Sequence, residues 1–150
     1  MKGTYCLIIS LKKSDKIKIG HLYQEPYKFK KGYYVYIGSA MNSLIPRLKR
    51  HLSDDKKMHW HIDYLLKNEY SDIREILFTD SEKIIECELA SRIAKEGLEI
   101  ESFGCSDCNC NSHLIYFDRK GDALKSVKDA YKTLNIKYLD LKYFRKINEN

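Results

Sequence analysis

Glycine and proline are scarce, seven and two in 150 residues. That excludes a collagen-like or low-complexity chain. No apolar run approaches the ~18 residues a membrane-spanning helix needs, and there is no internal repeat. The opening MKGTYCLIISLKK has a short, β-branched apolar stretch and no small-residue cleavage site. It reads as a strand and not as a signal peptide. The five cysteines are odd in number: Cys6, Cys87, Cys105, Cys108 and Cys110, three of them within six residues. That pattern suits a reducing, cytoplasmic setting better than a disulfide scaffold.

What is present is ordinary globular material. Apolar residues reach 43%, too many for a disordered chain. The length suits one domain over 1–150, able to bury a core without staples, with 118–150 expected as a C-terminal helical extension. A net charge of +6, from 27 Lys and Arg against 21 Asp and Glu, suits a polyanionic partner without requiring one.

Periodicity divides the chain. Gly3 to Lys12 reads as a strand, Lys16 to Tyr23 as a second strand or hairpin arm, and Gln24 to Gly32 as a basic turn. Tyr33 to Gly38 is the strongest strand signal. A helix follows, capped by Asn42 or Ser43, with Leu44, Ile45, Leu48 and Leu52 as its apolar stripe. A second helix covers roughly His59 to Asn68, and Asp72 to Phe78 is a strand. Ser81 is expected to open a helix to about Glu96 that buries Ile84, Ile85, Leu89, Ile93 and Ala94, with Gly97 as its stop. Ser102 to Ser112 reads as a loop and His113 to Phe117 as a short strand. A C-terminal amphipathic helix runs through Ala123 to Leu134, and the last dozen residues are ambiguous. Strict βαβ alternation is absent, so the class is α+β, with a small antiparallel or mixed sheet flanked by helices.

Four groups could carry chemistry. Tyr5 and Tyr36 sit in glycine-bearing strands, Gly3-Thr4-Tyr5 and Tyr36-Ile37-Gly38, and share a face if those strands pair; they would equally serve as core or surface tyrosines. Arg47, Arg50 and His51 lie on one helical face and could clamp a phosphate, or form a solvated basic face. Glu86, in Ile-Glu-Cys-Glu-Leu-Ala, could hold one hard divalent cation, or simply be exposed. Cys105-x2-Cys108-x-Cys110-x2-His113, with His59-Trp60-His61 upstream, suits Zn²⁺ by ligand type. Its spacing is tighter than in common zinc modules, so packed loop cysteines are the alternative.

Together these pieces resemble the GIY-YIG nuclease superfamily. Gly3-Thr4-Tyr5 looks like its first motif, Tyr36-Ile37-Gly38 like its second, Arg47 like its helical arginine and Glu86 like its metal-binding glutamate. The segments GTY, YVYIGSA, RLKRH, HWHIDYLL, ECELA and FGCSDCNCNSHL look like one small branch, found alone or fused to endonuclease III-type glycosylases. The resemblance runs from Gly3 to about Phe117 and implies a three-stranded antiparallel sheet with flanking helices. The long span between Tyr5 and Tyr36 then implies a hairpin inserted over Lys16 to Gly32.

The implied activity is metal-dependent cleavage of DNA phosphodiesters, in repair or in processing of DNA structures. Glu86 would hold Mg²⁺ or Mn²⁺, Tyr5 would be general base, and Tyr36 would orient water or phosphate. Arg47 would stabilise charge on the phosphate, and His51 would be a further group for proton transfer. A tyrosine near pKa ~10 is a poor base unless a nearby cation lowers it, and the metal and Arg47 could do so. His59, His61, Asp107 and His113 are additional candidates, while the superfamily's late asparagine has no clear match, Asn109 and Asn111 lying in the Cys-rich loop.

Two other readings stand beside it. One is a non-catalytic nucleic-acid-binding module whose Lys28, Lys30, Lys31, Arg47, Lys49 and Arg50 contact phosphates. The other is a zinc-stabilised interaction domain.

Overall fold

The structure, a computed structural model, describes residues 1–104 and 110–148. Its strands are β1 (Gly3–Leu11), β2 (Asp15–Ile17), β3 (Tyr27–Phe29), β4 (Gly32–Ala40), β5 (Ser71–Thr79), β6 (Leu98–Glu99), β7 (Leu114–Phe117) and β8 (Leu139–Asp140). Its helices are α1 (Leu44–Leu52), α2 (His61–Leu66), α3 (Glu86–Ala94), α4 (Lys120–Thr133) and α5 (Leu141–Asn148). Six strands form one sheet in the order β6-β7-β4-β1-β5-β8. Every pairing is antiparallel. The fold is therefore α+β, and its sheet is wider than the three strands implied by resemblance. The long β4, β1 and β5 form its middle.

Between β1 and β4 the separate hairpin β2–β3 is inserted. Its arms are shorter than the period-2 pattern predicts: only Asp15–Ile17 of the first arm pairs, and β3 lies inside the segment read as a turn.

Alternation on the central strands gives the sheet two apolar faces. Tyr5, Leu7, Tyr34 and Tyr36 pack on one side with Leu44 and Leu48 of α1, Ile62 of α2 and Phe144 of α5. Cys6, Ile8, Val35 and Ile37 pack on the other with Leu89 and Ile93 of α3 and with Val127 and Tyr131 of α4. Each fully buried aliphatic side chain contributes about 1.5–3 kcal/mol, which holds short helices such as α1 that would not persist alone.

Helix α3 starts at Glu86 and not at Ser81. The main-chain N–H of Ser81 donates to Thr79 Oγ1, and that of Lys83 donates to Ser81 Oγ. Such local bonds compete with helical ones. Ile84, expected inside, is consequently 86% exposed, while Ile85 points into the core. The correction matters, because it puts Glu86 at the first turn of its helix.

The two sides of β4 are unequal. It pairs with β1 along all nine residues, but with β7 only from Tyr33 to Tyr36. One further bond, from the Ile37 N–H to the His113 carbonyl, closes that ladder. Beyond it the edge of β4 at Gly38–Ala40 is open.

Candidate active site

A cleft of about 670 Å³ lies at that open edge. Tyr5 of β1, Tyr36 of β4, Arg47 of α1 and Glu86 of α3 all line it. Helix α3 packs on the face opposite the two tyrosines. Only its first turn reaches the end of the strands, where the missing length of β7 leaves room.

Gly38 is required by its neighbour. A Cβ there would stand 2.5 Å from Tyr5 Cζ and from its hydroxyl oxygen, so the bare glycine lets the ring lie across β4. A Cβ on Gly3 would collide with the Thr79 carbonyl oxygen. Both motif glycines thus answer to close approach.

Tyr5 is buried, and its hydroxyl is 2.8 Å from His51 Nε2. Burial pushes the Tyr5 phenol up to about 12, although Arg47 pulls the other way by its charge and hydrogen bonding. The expected lowering by a nearby cation therefore does not win in the protein alone. Burial likewise drives His51 down to about 3, helped by the charges of Lys56, Arg50 and Arg47 and opposed by Asp63. The pair is neutral across the physiological range. His51 Nδ1 has no hydrogen-bond partner among the described residues. Tyr36 is raised well above its ordinary value by burial, with Tyr5 and Glu86 adding to it and Arg47 opposing.

Glu86 accepts a short hydrogen bond from Ser39 Oγ on one oxygen, and its other oxygen is 2.8 Å from His113 Nδ1. Burial raises this carboxyl, but the bonds from His113 and Ser39, with the charges of His113 and Arg47, outweigh burial and keep it ionised. Its position in the first turn of α3 acts in the same direction.

Arg47 and Arg50 part company. Arg47 donates to the Ser39 carbonyl at 2.8 Å, on the open edge of β4, and its guanidinium lies 4.4 Å from the centre of the Trp60 ring. Arg50 stacks on the same ring at 4.5 Å, but its nitrogens reach both oxygens of Asp63 at 2.9 and 2.8 Å. Asp63 is fully buried, and it also accepts the main-chain N–H groups of His59 and Trp60. Burial raises the Asp63 carboxyl, but the Arg50 bond and those two donors outweigh it, so it stays ionised. Arg50 is therefore an ion-pair partner holding α1 to α2, where the sequence pattern made it a phosphate ligand. His51 turns inward, so the basic trio is not one surface.

Lys28, Lys30, Lys31 and Lys49 are exposed, and none of them lines the cleft. Lys30 and Lys31 precede β4, roughly 25 Å of strand from Ser39. Two cations absent from the sequence reading, Lys2 and Lys83, do line the cleft. Ser39, Trp60 and Asp63 were missed too. Asp63 had a weak signal as an acid in the first turn of a helix; nothing local marks its pairing with Arg50. Exposed His59 and half-buried His61 also line the cleft, and His61 Nδ1 accepts the Gly104 N–H at 3.0 Å.

Of the expected zinc set, Cys105 and Cys108 fall outside the described residues, as do Asp107 and Asn109. Cys110 and His113 group instead with Cys87, their ligand atoms within 4.8 Å of one another, and this group could hold a metal. Cys87 and Cys110 are joined as a disulfide, against the expectation of unpaired thiols. Bonded to each other, the sulfurs present no thiolate; parted, they would offer two beside the imidazole. Cys6 is a buried free cysteine. No helix among the described residues is long and apolar enough to cross a membrane.

The family model described as "Domain of unknown function DUF123" matches residues 4–136. Neither the curated proteins nor the solved structures contained a match to the chain. The chain belongs to the DUF123 family.

Proposed function

We propose that this DUF123 protein is a metal-dependent DNA endonuclease of the GIY-YIG kind, acting in the cytoplasm in repair or processing of DNA structures. The observation that carries the reading is convergence. Tyr5, Tyr36, Arg47 and Glu86, matched to the motifs one by one, come from four separate elements to one cleft.

Glu86 fits a hard cation. It is ionised, it faces the cleft, and each of its oxygens keeps a lone pair beyond its protein hydrogen bond. A bound Mg²⁺ or Mn²⁺ would offset charge on the phosphate and acidify a coordinated water.

The remaining chemistry belongs to the chain. Arg47, aimed by Ser39 and Trp60, stabilises the charge that builds on the phosphate oxygens. Tyr36 orients the attacking water. A Tyr5 anion is too costly to stand ready at neutral pH. The phenol instead takes the water proton as it passes its own to His51 Nε2. The hydroxide oxygen bonds to phosphorus, the phosphodiester P–O bond breaks, and the leaving oxygen takes a proton from solvent. A bound phosphate supplies the negative charge that makes a protonated His51 less costly.

The test is a supercoiled-plasmid assay with Mg²⁺ or Mn²⁺ and with EDTA. Nicking by the wild type that needs metal and is lost in Glu86→Ala is the expected result. Nicking unchanged in Glu86→Ala removes the metal assignment.

A second reading is favoured by one observation: both Glu86 oxygens already have protein partners. It is a non-catalytic nucleic-acid-binding module with this fold. That module would show salt-sensitive DNA binding and no nicking in either metal.

A further inference from the structure

Six large apolar side chains are exposed among the described residues, and Met41 and Ile84 are the two most exposed, at 69% and 86%. Isolated exposed apolar groups are ordinary. The location of these two is not. Both line the cleft that holds Tyr5, Arg47 and Glu86. Met41 directly follows β4, and Ile84 stands two residues before Glu86. Neither side chain contributes to the core. The hydrogen-bonded turns through Ser81 keep the 80–85 segment out of α3, so Ile84 faces outward while Ile85 fills the core.

The same cleft carries Lys2 and Lys83, the latter adjacent to Ile84. Cations and bare apolar side chains lining one cleft match a ligand that alternates phosphates with flat apolar rings. Aliphatic side chains of this kind open base steps by inserting between them. In a paired stack the insertion costs a few kcal/mol, and it costs least where a base is already unpaired.

We infer that Met41 and Ile84 form an apolar wedge at the mouth of the cleft that engages an unpaired nucleobase. The substrate is then nucleic acid carrying an unpaired base beside the target phosphate. This rests on the endonuclease reading and adds to it a substrate class and the residues that select it.

The experiment is fluorescence anisotropy in EDTA, with two labelled oligonucleotides. One is a fully paired DNA duplex; the other is the same duplex with a single bulged 2-aminopurine. The wild type is compared with the Met41→Ala/Ile84→Ala double variant, whose sites are exposed and carry no core packing. The wild type is expected to bind the bulged duplex about tenfold tighter, the return on covering two apolar side chains. The 2-aminopurine emission should change on binding, as the base leaves its stack. In the double variant that preference falls to about one, with affinity for paired duplex kept.

Equal binding of both duplexes by the wild type overturns the wedge, as does a preference that survives in the double variant. Metal-dependent nicking that persists beside either outcome leaves the endonuclease reading standing. A wild type that binds neither oligonucleotide and nicks no plasmid brings down both.

Discussion

The two ends of β4 use tyrosine differently. At its start, the Tyr34 hydroxyl donates to the Lys30 carbonyl and the Tyr116 hydroxyl to the Lys31 carbonyl. The Tyr34 phenol thus has a main-chain partner that cannot titrate; Tyr116 also bonds Asp118 Oδ1 at 3.1 Å, and Lys30 Nζ lies 5.3 Å from the centre of its ring. Near its other end, Tyr5 meets an imidazole, while Tyr36 shares a cleft with a guanidinium and a carboxylate. Both ends are buried aromatic clusters on the same face. What separates Tyr34 from Tyr5 is the partner of the hydroxyl. A phenol bonded to a carbonyl holds a fold, whereas one bonded to a titratable ring can pass a proton on.

The contrast can be broken most sharply with Glu86→Ala against a Lys30→Ala/Lys31→Ala pair. The first should cut metal-dependent nicking about a thousandfold or more, as loss of a metal ligand does. Circular dichroism should remain native. The lysine pair should change the rate less than about threefold, as exposed charges remote from the chemistry do. A large loss in the lysine pair would move the DNA path to the hairpin end.

Acid comes next. His51 binds its proton only near pH 3 when folded, but near its ordinary value when unfolded. The unfolded state therefore takes up more protons between those values, and stability falls as pH drops through that window. The loss is on the order of 3 kcal/mol between pH 7 and pH 4. Glu86 and Asp63, both held below their ordinary values, add loss in the same direction as pH falls further. Denaturant melts at the two pH values measure it, and His51→Gln should flatten the slope.

Gly38→Ala should then destabilise by about 2 kcal/mol, because the new methyl displaces the Tyr5 ring. Gly121→Ala, in α4 with nothing within 4 Å, should be neutral or stabilising by about 0.5–1 kcal/mol. By stability the phenol comparison lies between those two glycine changes. Tyr34→Phe removes one bond to a carbonyl, costs about 1 kcal/mol in thermal melts and leaves nicking alone. Tyr5→Phe should abolish nicking at a similar cost in stability.

Much of the frame was legible locally. Strands β1 and β4 follow from their aromatic and β-branched runs, because both of their faces are buried, and helices α1 and α4 from period-3.6 apolar patterns, because one buried face per helix imposes that period. The apolar spacing of residues 81–85 fits a helix, whereas the Thr79 and Ser81 hydroxyls satisfy the backbone in another way. The arms of the inserted hairpin are short because Tyr23, Tyr27 and Phe29 pack as aromatics without sustained pairing. Helix α5 was ambiguous because only Leu141 and Phe144 are buried along it. In the site, Tyr5, Tyr36, Arg47 and Glu86 could be named from motifs. Asp63, Ser39, Lys2 and Lys83 carry no comparable spacing.

The sequence by itself determined which residue types are available and which strands and helices carry them, since propensity and apolar period act over a few neighbours. It also carried the glycines, whose missing side chains admit Tyr5 against Gly38. Tertiary structure alone decided that β7 leaves the far end of β4 unpaired, that the first turn of α3 reaches the resulting gap, and that Arg50 is taken by Asp63 while Arg47 is not. Those outcomes depend on contacts between residues far apart in the chain, where close packing and the need to pair every buried charge select one arrangement among many that local pattern allows.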